Sequence, residues 1–253
     1  MNLKTRARSA GMRHFSSSAF LEKLRAKARK RRKKAGEPPV VHYFHQVNDP
    51  YSHLAVQKLD ELKQRYNLGF KPHLTSAPEP DYKGSAEHFD QWALRDATSV
   101  ARDYGTSFTP TLDTPSAVNV ALANERLAAH LEQDDFAQVA IEVGTALWND
   151  EPFDPPDERA DATQQVQKGN EKRAALGHYQ GAMFYFDGEW FWGIDRIRSL
   201  EQRLNAEGFD RTNQPLCVPQ PTAAPCAGKS TDGIVLEYFP SLRSPYTLSL
   251  IHI

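Results

Sequence analysis

Residues Val40 to Leu54 read VVHYFHQVNDPYSHL, an apolar run that stops at Asp49-Pro50 and passes into a helical pattern. Val40, Val41, Tyr43 and Phe44 are β-branched or aromatic and closely spaced, the composition of a buried strand. Asp49 offers a side-chain oxygen to the free N–H groups of a helix's first turn. Pro50 suits the first helical position, where its missing N–H costs nothing. Tyr51, Leu54, Ala55, Leu59 and Leu62 then recur at helical spacing, so one helix with one face on a sheet is expected. A strand therefore delivers the chain to a helix N-terminus, where free N–H groups and the helix dipole favour an anion.

Working outward, Leu68 to His73 predicts a second short strand, and strand, helix, strand favours a parallel pair. From about Ser85 to Leu176 helical signals dominate, with breaks at 105–115 and 149–156. Helices are expected over Glu87 to Tyr104, Ser116 to Glu132, Asp134 to Trp148 and Glu158 to Leu176. The sheet resumes at Ala182 to Phe186, and Asp187-Gly188 is a two-residue hairpin turn into Glu189 to Trp192. Asp195 to Asn205, with Ile197, Leu200 and Leu204 on one face, predicts a closing amphipathic helix.

These residues carry a resemblance. Asp49-Pro50-Tyr51-Ser52 stands where DsbA oxidoreductases have Cys-Pro-x-Cys, and where 2-hydroxychromene-2-carboxylate isomerases and kappa-class glutathione transferases have Ser-Pro-Tyr. GAMFYFDGEWFWGIDRIRSLEQRL, Gly181 to Leu204, resembles their Pro-Thr-Phe, Asp-Gly, Phe-Trp-Gly and Asp-Arg elements. The resemblance spans roughly residues 38–206 and implies an α/β, thioredoxin-like fold with a helical insertion at about 85–176. It implies glutathione as cofactor and a small thiol or organic molecule as substrate. Asp49 takes the family's nucleophile position, while Tyr51, Ala182, Trp192 and Asp195 are the implied substrate-binding residues.

Two departures bear on chemistry. Asp49 has no thiol, and its carboxylate repels a thiolate unless protonated, which counts against both redox and glutathione chemistry at this position. Ala182 aligns with the family's cis-proline. A non-proline cis bond costs roughly 2.5–4 kcal/mol, so a trans bond and an altered backbone clamp are expected. Asp195 matches the aspartate that contacts the glutamyl end of glutathione in kappa-class enzymes, and it could equally cap the last helix. Tyr51 and Trp192 could line a cleft or belong to the core. His45 and His53 flank the same mouth and are expected as ordinary, partly exposed histidines titrating near neutrality.

The chain has 253 residues, 40% apolar and 10% aromatic, enough for one sizeable domain and part of another. No stretch approaches the roughly 20 apolar residues of a transmembrane helix. The net charge of −1 hides an asymmetry, because residues 1–34 hold 13 Lys or Arg against the single Glu22. This basic arm, residues 1–36, competes between a targeting segment, a partner for an anionic surface and a solvated helix beside the acidic body. Its basic run has no interleaved aromatics or recognisable fold for nucleic-acid recognition. The two cysteines, Cys217 and Cys226, form no Cys-x-x-Cys and are too few for zinc, so no metal is expected. Free thiols of a cytoplasmic protein are the expectation, with a place at the membrane periphery as the alternative.

Residues 207–232 are Pro-rich and aperiodic, as a linker would be. GIVLEYFPSLRSPYT, Gly233 to Thr247, then repeats the first motif in register. Val40 matches Val235, Tyr43 matches Tyr238, Phe44 matches Phe239, and Pro50-Tyr51 match Pro245-Tyr246. Ser244 replaces Asp49, restoring the serine whose hydroxyl could donate to a glutathione thiolate. Residues 233–247 are thus expected to start a second thioredoxin-like domain. The closing LSLIHI, residues 248–253, can be encoded by the mosaic end of a transposase-based sequencing adapter and is expected to be untemplated. Taken together, the sequence leads to a glutathione-dependent isomerase or transferase in tandem form with a degenerate first domain. A non-catalytic binding or scaffolding module and a thiol-disulfide oxidoreductase remain as alternatives.

Overall fold

The computed structural model describes residues 3–15, 17–79, 86–153 and 161–219, together with Gly233, Val235 and Glu237. The chain divides into two compact units, Met1–Pro221 and Thr222–Ile253. Ser244, Cys226 and the final six residues lie outside the described residues, as does most of the expected second domain.

In the first unit, helices α1 (Leu3–Phe15) and α2 (Ser18–Ala35) precede strand β1 (Val40–His45). Helices α3 (Pro50–Val56) and α4 (Leu59–Arg65) lead to β2 (Gly69–Leu74). Next come α5 (Ala86–Ala101) with a 3-10 turn at Arg102–Tyr104, α6 (Ala117–His130), α7 (Phe136–Asn149) and α8 (Ala162–Ala175). Strands β3 (Met183–Phe186) and β4 (Glu189–Trp192) and helix α9 (Gly193–Ala206) finish the succession.

The strands form one mixed sheet in the order β2-β1-β3-β4. β1 pairs parallel with β2 and antiparallel with β3, which pairs antiparallel with β4. This is the α/β, thioredoxin-like arrangement with a helical insertion, as expected from the motif outward. Pro72 can sit in β2 because β2 is an edge strand, where a missing N–H interrupts no ladder. At the hairpin Asp187 and Gly188 have φ of 37° and 87°, and two left-handed residues give the twist a two-residue turn needs.

Alternation along β1 divides the core. Val41 and Tyr43 join the main cluster with Leu54, Leu62, Leu127, Leu147, Phe184 and Ile197. Phe44 is equally buried on the opposite face, stacked on His73 at 4.9 Å and tilted against Trp190 at 5.3 Å. The single helix expected after Pro50 is two, because the chain turns at Gln57 and Lys58. That turn brings the Lys58 N–H onto Ala55 O and starts α4 in a new direction, yet Leu59 and Leu62 remain buried.

The basic arm is docked on the body rather than simply solvated. Leu21, Arg25, Ala28, Arg29 and Arg32 make a partly buried stripe along α2 at helical spacing. Arg25 pairs with Glu189 at 2.9 Å, Arg29 with Glu207 at 2.7 Å and Arg32 with Asp187 at 2.9 Å. The hairpin turn nests in this stripe, since a Cβ on Gly188 would stand 2.8 Å from Leu24 O and 3.1 Å from Ala28 Cβ.

Residues 207–219, expected as linker, also lie along the body. Arg65 donates to Asp210 at 2.7 Å and to the carbonyls of Gln214 and Pro215. The fully buried Glu201 accepts from the N–H groups of Cys217 at 2.8 Å and Val218 at 2.9 Å. Local composition signals a loop here but says nothing of a buried carboxylate awaiting backbone donors. Among the described residues no helix is long and apolar enough to cross a membrane.

Candidate functional site

At the C-terminal end of β1 the chain turns through Gln46, Val47 and Asn48 into Asp49, which caps α3 in extended conformation. Asp49 accepts from Tyr51 N at 3.3 Å and Ser52 N at 3.0 Å, and the Ser52 hydroxyl donates to it at 2.7 Å. The same hydroxyl accepts from Gln46 N at 3.1 Å and Ala182 N at 2.9 Å. One donor and two acceptor directions are all a hydroxyl has, so Ser52 is saturated. It ties the end of β1, the start of α3 and the entry to β3 into one knot. Gly181 closes over it, because a Cβ there would stand 2.9 Å from Gln46 Cβ and 3.2 Å from Asp49 Oδ2.

Ala182 is fully buried with φ of 52°, and among the described residues there is no cis peptide bond. The trans bond was expected, but the left-handed backbone and its role were not. The Ala182 N–H is spent on Ser52, and its carbonyl accepts from Gly193 N at 2.9 Å. Ala182 therefore has no N–H to offer a ligand, which removes the donor half of a backbone clamp.

Asp49, Tyr51 and Trp192 do come together, lining a cavity of about 80 Å³. The insertion completes it with Phe89, Asp90, Asp113 and Trp148. Among the described residues no Lys or Arg lines it. Trp192 is 46% exposed at its rim. Tyr51 donates to Asp96 Oδ2 at 2.8 Å, and burial, then that carboxylate, push its phenol well above its ordinary pKa. Asp195 lies outside the cavity wall, in the first turn of α9. It does not cap that helix, whose N-cap is Trp192. Half-burial raises its pKa, with Asp96 adding to the rise and Arg196, 3.5 Å away, opposing it.

The two histidines are buried, not partly exposed. His45 is 3% and His53 4% exposed, and burial lowers their pKa to about 3 and about 4. Tyr43 OH donates to Ser52 O at 2.8 Å, a carbonyl that can only accept, so the His45 Nδ1–H must donate to Tyr43 OH at 2.9 Å. Neither histidine carries charge at neutral pH. His53 packs against Gly144 of α7, where any side chain would collide with its ring.

The fit to glutathione follows from these contacts. A thiolate at the α3 N-terminus would face the Asp49 carboxylate, which already holds the two N–H groups an anion would need. Pockets for ligands of that size run from about 300 Å³ upward. Asp90 and Asp113 add further negative charge to the wall. The residues present do not fit the group. At Cys217, the one cysteine among the described residues, burial and Glu201 raise the thiol to a pKa of about 11, which disfavours the reactive thiolate. Among the described residues no cluster of three or more His, Cys, Asp or Glu is arranged to hold a metal.

Sequence reasoning found Asp49, Tyr51 and Trp192 because they sit in the motifs at the two ends of the fold. It missed Ser52, although the residue lies in the quoted stretch and its position is that of the second motif cysteine. Asp90, Asp96 and Asp113 left no signal, being polar positions in an insertion whose helices pattern generically.

No protein-family profile matches the chain, and no curated protein does. Among solved structures, 2-hydroxychromene-2-carboxylate isomerase aligns with a TM-score of 0.47 and 16% identity, over 66% of this chain and 95% of that one. Cytosolic disulfide reductase DsbM from Pseudomonas aeruginosa aligns with a TM-score of 0.43 and 12% identity, over 66% of this chain and 99% of that one.

Proposed function

We propose that the first thioredoxin-like domain is a binding module without thiol chemistry of its own, whose cleft takes a small cationic group. The observation that supports this is the cavity wall, whose described residues include Asp49, Asp90 and Asp113 with Phe89, Trp148 and Trp192. Carboxylates and aromatic faces both attract an ammonium or guanidinium, and a cavity of about 80 Å³ suits one such group rather than a tripeptide. The group could belong to a free amine or to a side chain of a protein partner, consistent with a cytoplasmic scaffold.

Calorimetric titration with agmatine and, separately, with glutathione tests the reading. Agmatine binding that weakens about tenfold in Asp113→Asn, with no heat from millimolar glutathione, is the expected outcome. Glutathione binding weakened by Asp195→Ala would overturn it and restore a glutathione site in this domain.

A second reading is favoured by the Ser244-Pro245-Tyr246 repeat. In it, glutathione-dependent isomerase or transferase chemistry belongs to a second copy of the fold, with Ser244 donating to the thiolate. Sequencing the source gene past the codon for Thr247 tests it. Continuation into a Pro-Thr-Phe strand and an Asp-Arg helix is expected, and a stop after Ile253 would remove the reading.

A further inference from the structure

A second and much larger cleft, about 750 Å³, lies over the sheet face that carries His42, and it shares no wall with the cavity at Asp49. Its floor is rings. His42 and His73 hydrogen-bond through Nδ1 and Nε2 at 2.9 Å, and Tyr185, opposite His42 in the antiparallel pair, brings its ring to 6.4 Å. One wall is the docked arm helix α2, with Ala28, Arg31 and Arg32, and the facing wall is α8, with Lys168 and Lys172. α8 comes this close because Gly169 sits directly against the Leu74 carbonyl at the end of β2, where no Cβ would fit.

The charges lining the cleft do not cancel. Arg32 is spent on Asp187, and Lys71 on Glu132 at 3.1 Å. Arg31, Lys168, which donates to Gln164 at 2.8 Å, and Lys172 remain, all exposed, and Glu37 is the one other carboxylate among the described lining residues. The imidazoles add no charge, since burial, with help from the neighbouring lysines, lowers His42 to about 4 and His73 to about 3. A surplus of cations thus rings a neutral, aromatic floor.

We propose that this cleft binds a phosphorylated small molecule with a planar ring, of nucleotide class, its phosphates between Arg31, Lys168 and Lys172 and its ring over His42 and Tyr185. The volume argues for more than a bare anion, because it falls in the range of about 300–1,000 Å³ typical of organic ligands. Lysines bind phosphate as point charges, and a neutral ring floor offers stacking without repelling the anion. The arm acquires a purpose here, since its docking through Arg25, Arg29 and Arg32 is what makes it a wall. This site rests on nothing proposed for the cavity at Asp49.

The test is calorimetric titration of the full chain with ATP, pyrophosphate and adenosine in low-salt buffer. ATP should bind at one site per chain and about tenfold more tightly than pyrophosphate, with adenosine weaker than both. Lys168→Ala/Lys172→Ala should weaken ATP by about tenfold or more, while Lys23→Ala/Lys30→Ala, exposed on α2 outside the cleft, should not. All four lysines are exposed, so an unchanged melting temperature should accompany both double variants. Three results would overturn the proposal. They are absence of saturable binding at about 1 mM ATP, pyrophosphate binding as tightly as ATP, or equal losses in the two double variants.

Discussion

Ser52 shows how one buried hydroxyl can hold a site together. Ser52→Ala removes the donor to Asp49 and strands the N–H groups of Gln46 and Ala182. With each unpaired buried donor costing about 1–3 kcal/mol, the variant should lose about 3 kcal/mol in urea unfolding at pH 7. Asp49→Ala loses the cap, about 1 kcal/mol, together with the acceptor of the Ser52 hydroxyl, and Asp49→Ser should recover part of the cap. His45 and His53 set a pH dependence. Their folded pKa values of about 3 and 4 lie below the 6.5 of an unfolded histidine, so the unfolded chain takes up protons first as pH falls. Their contribution to stability is complete above pH 6.5 and is lost as pH drops toward 4 and then 3. Urea midpoints measured from pH 7.5 to pH 4.5 should fall over that window. A flat profile would place both rings in water.

At the scale of elements, the arm helix is the feature whose behaviour differs most from its composition. Each of Arg25, Arg29 and Arg32 meets a partly or largely buried carboxylate, and α2 buries no residue completely. Its hold should therefore be electrostatic and breakable. Arg25→Ala/Arg29→Ala/Arg32→Ala should speed tryptic cleavage around Lys33 and Lys34 several-fold at low salt, while the sheet strands and α9 stay protected. Unchanged cleavage would mean that packing around Gly188 is the stronger attachment. The strands, the hairpin and α9 were legible because alternation, the Asp-Gly turn and an amphipathic stripe are local signals. The docking of the arm was not, because it depends on Asp187, Glu189 and Glu207, more than 150 residues away in sequence. The site was half legible for the same reason. Asp49 and Trp192 lie in motifs, whereas Asp90 and Asp113 reach the cavity only through the tertiary path of the insertion.

For the molecule as a whole, both ends of the folded unit are fastened by charge buried against the sheet and its last helix. The arm is held by arginines on carboxylates, and residues 214–218 by Arg65 and Glu201. Glu201→Gln keeps the shape but leaves Arg65 facing a neutral amide and offers only one acceptor oxygen to the two N–H groups. The variant should be destabilised by about 2–4 kcal/mol, and Cys217 should react faster with iodoacetamide as its segment loosens. Alkylation of Cys217 at the wild-type rate would show that Arg65 alone retains the segment.

The left-handed backbone of Ala182 limits which residues the position can accept. Proline requires φ near −65° and has no N–H, whereas position 182 has φ of 52° and gives its N–H to Ser52. Ala182→Pro would break the knot without building a clamp. Glycine is the substitution the site would welcome. A thiol clamp introduced at this place would have to begin at Ser52 and the Gly181 turn, because residue 182 is already committed to both.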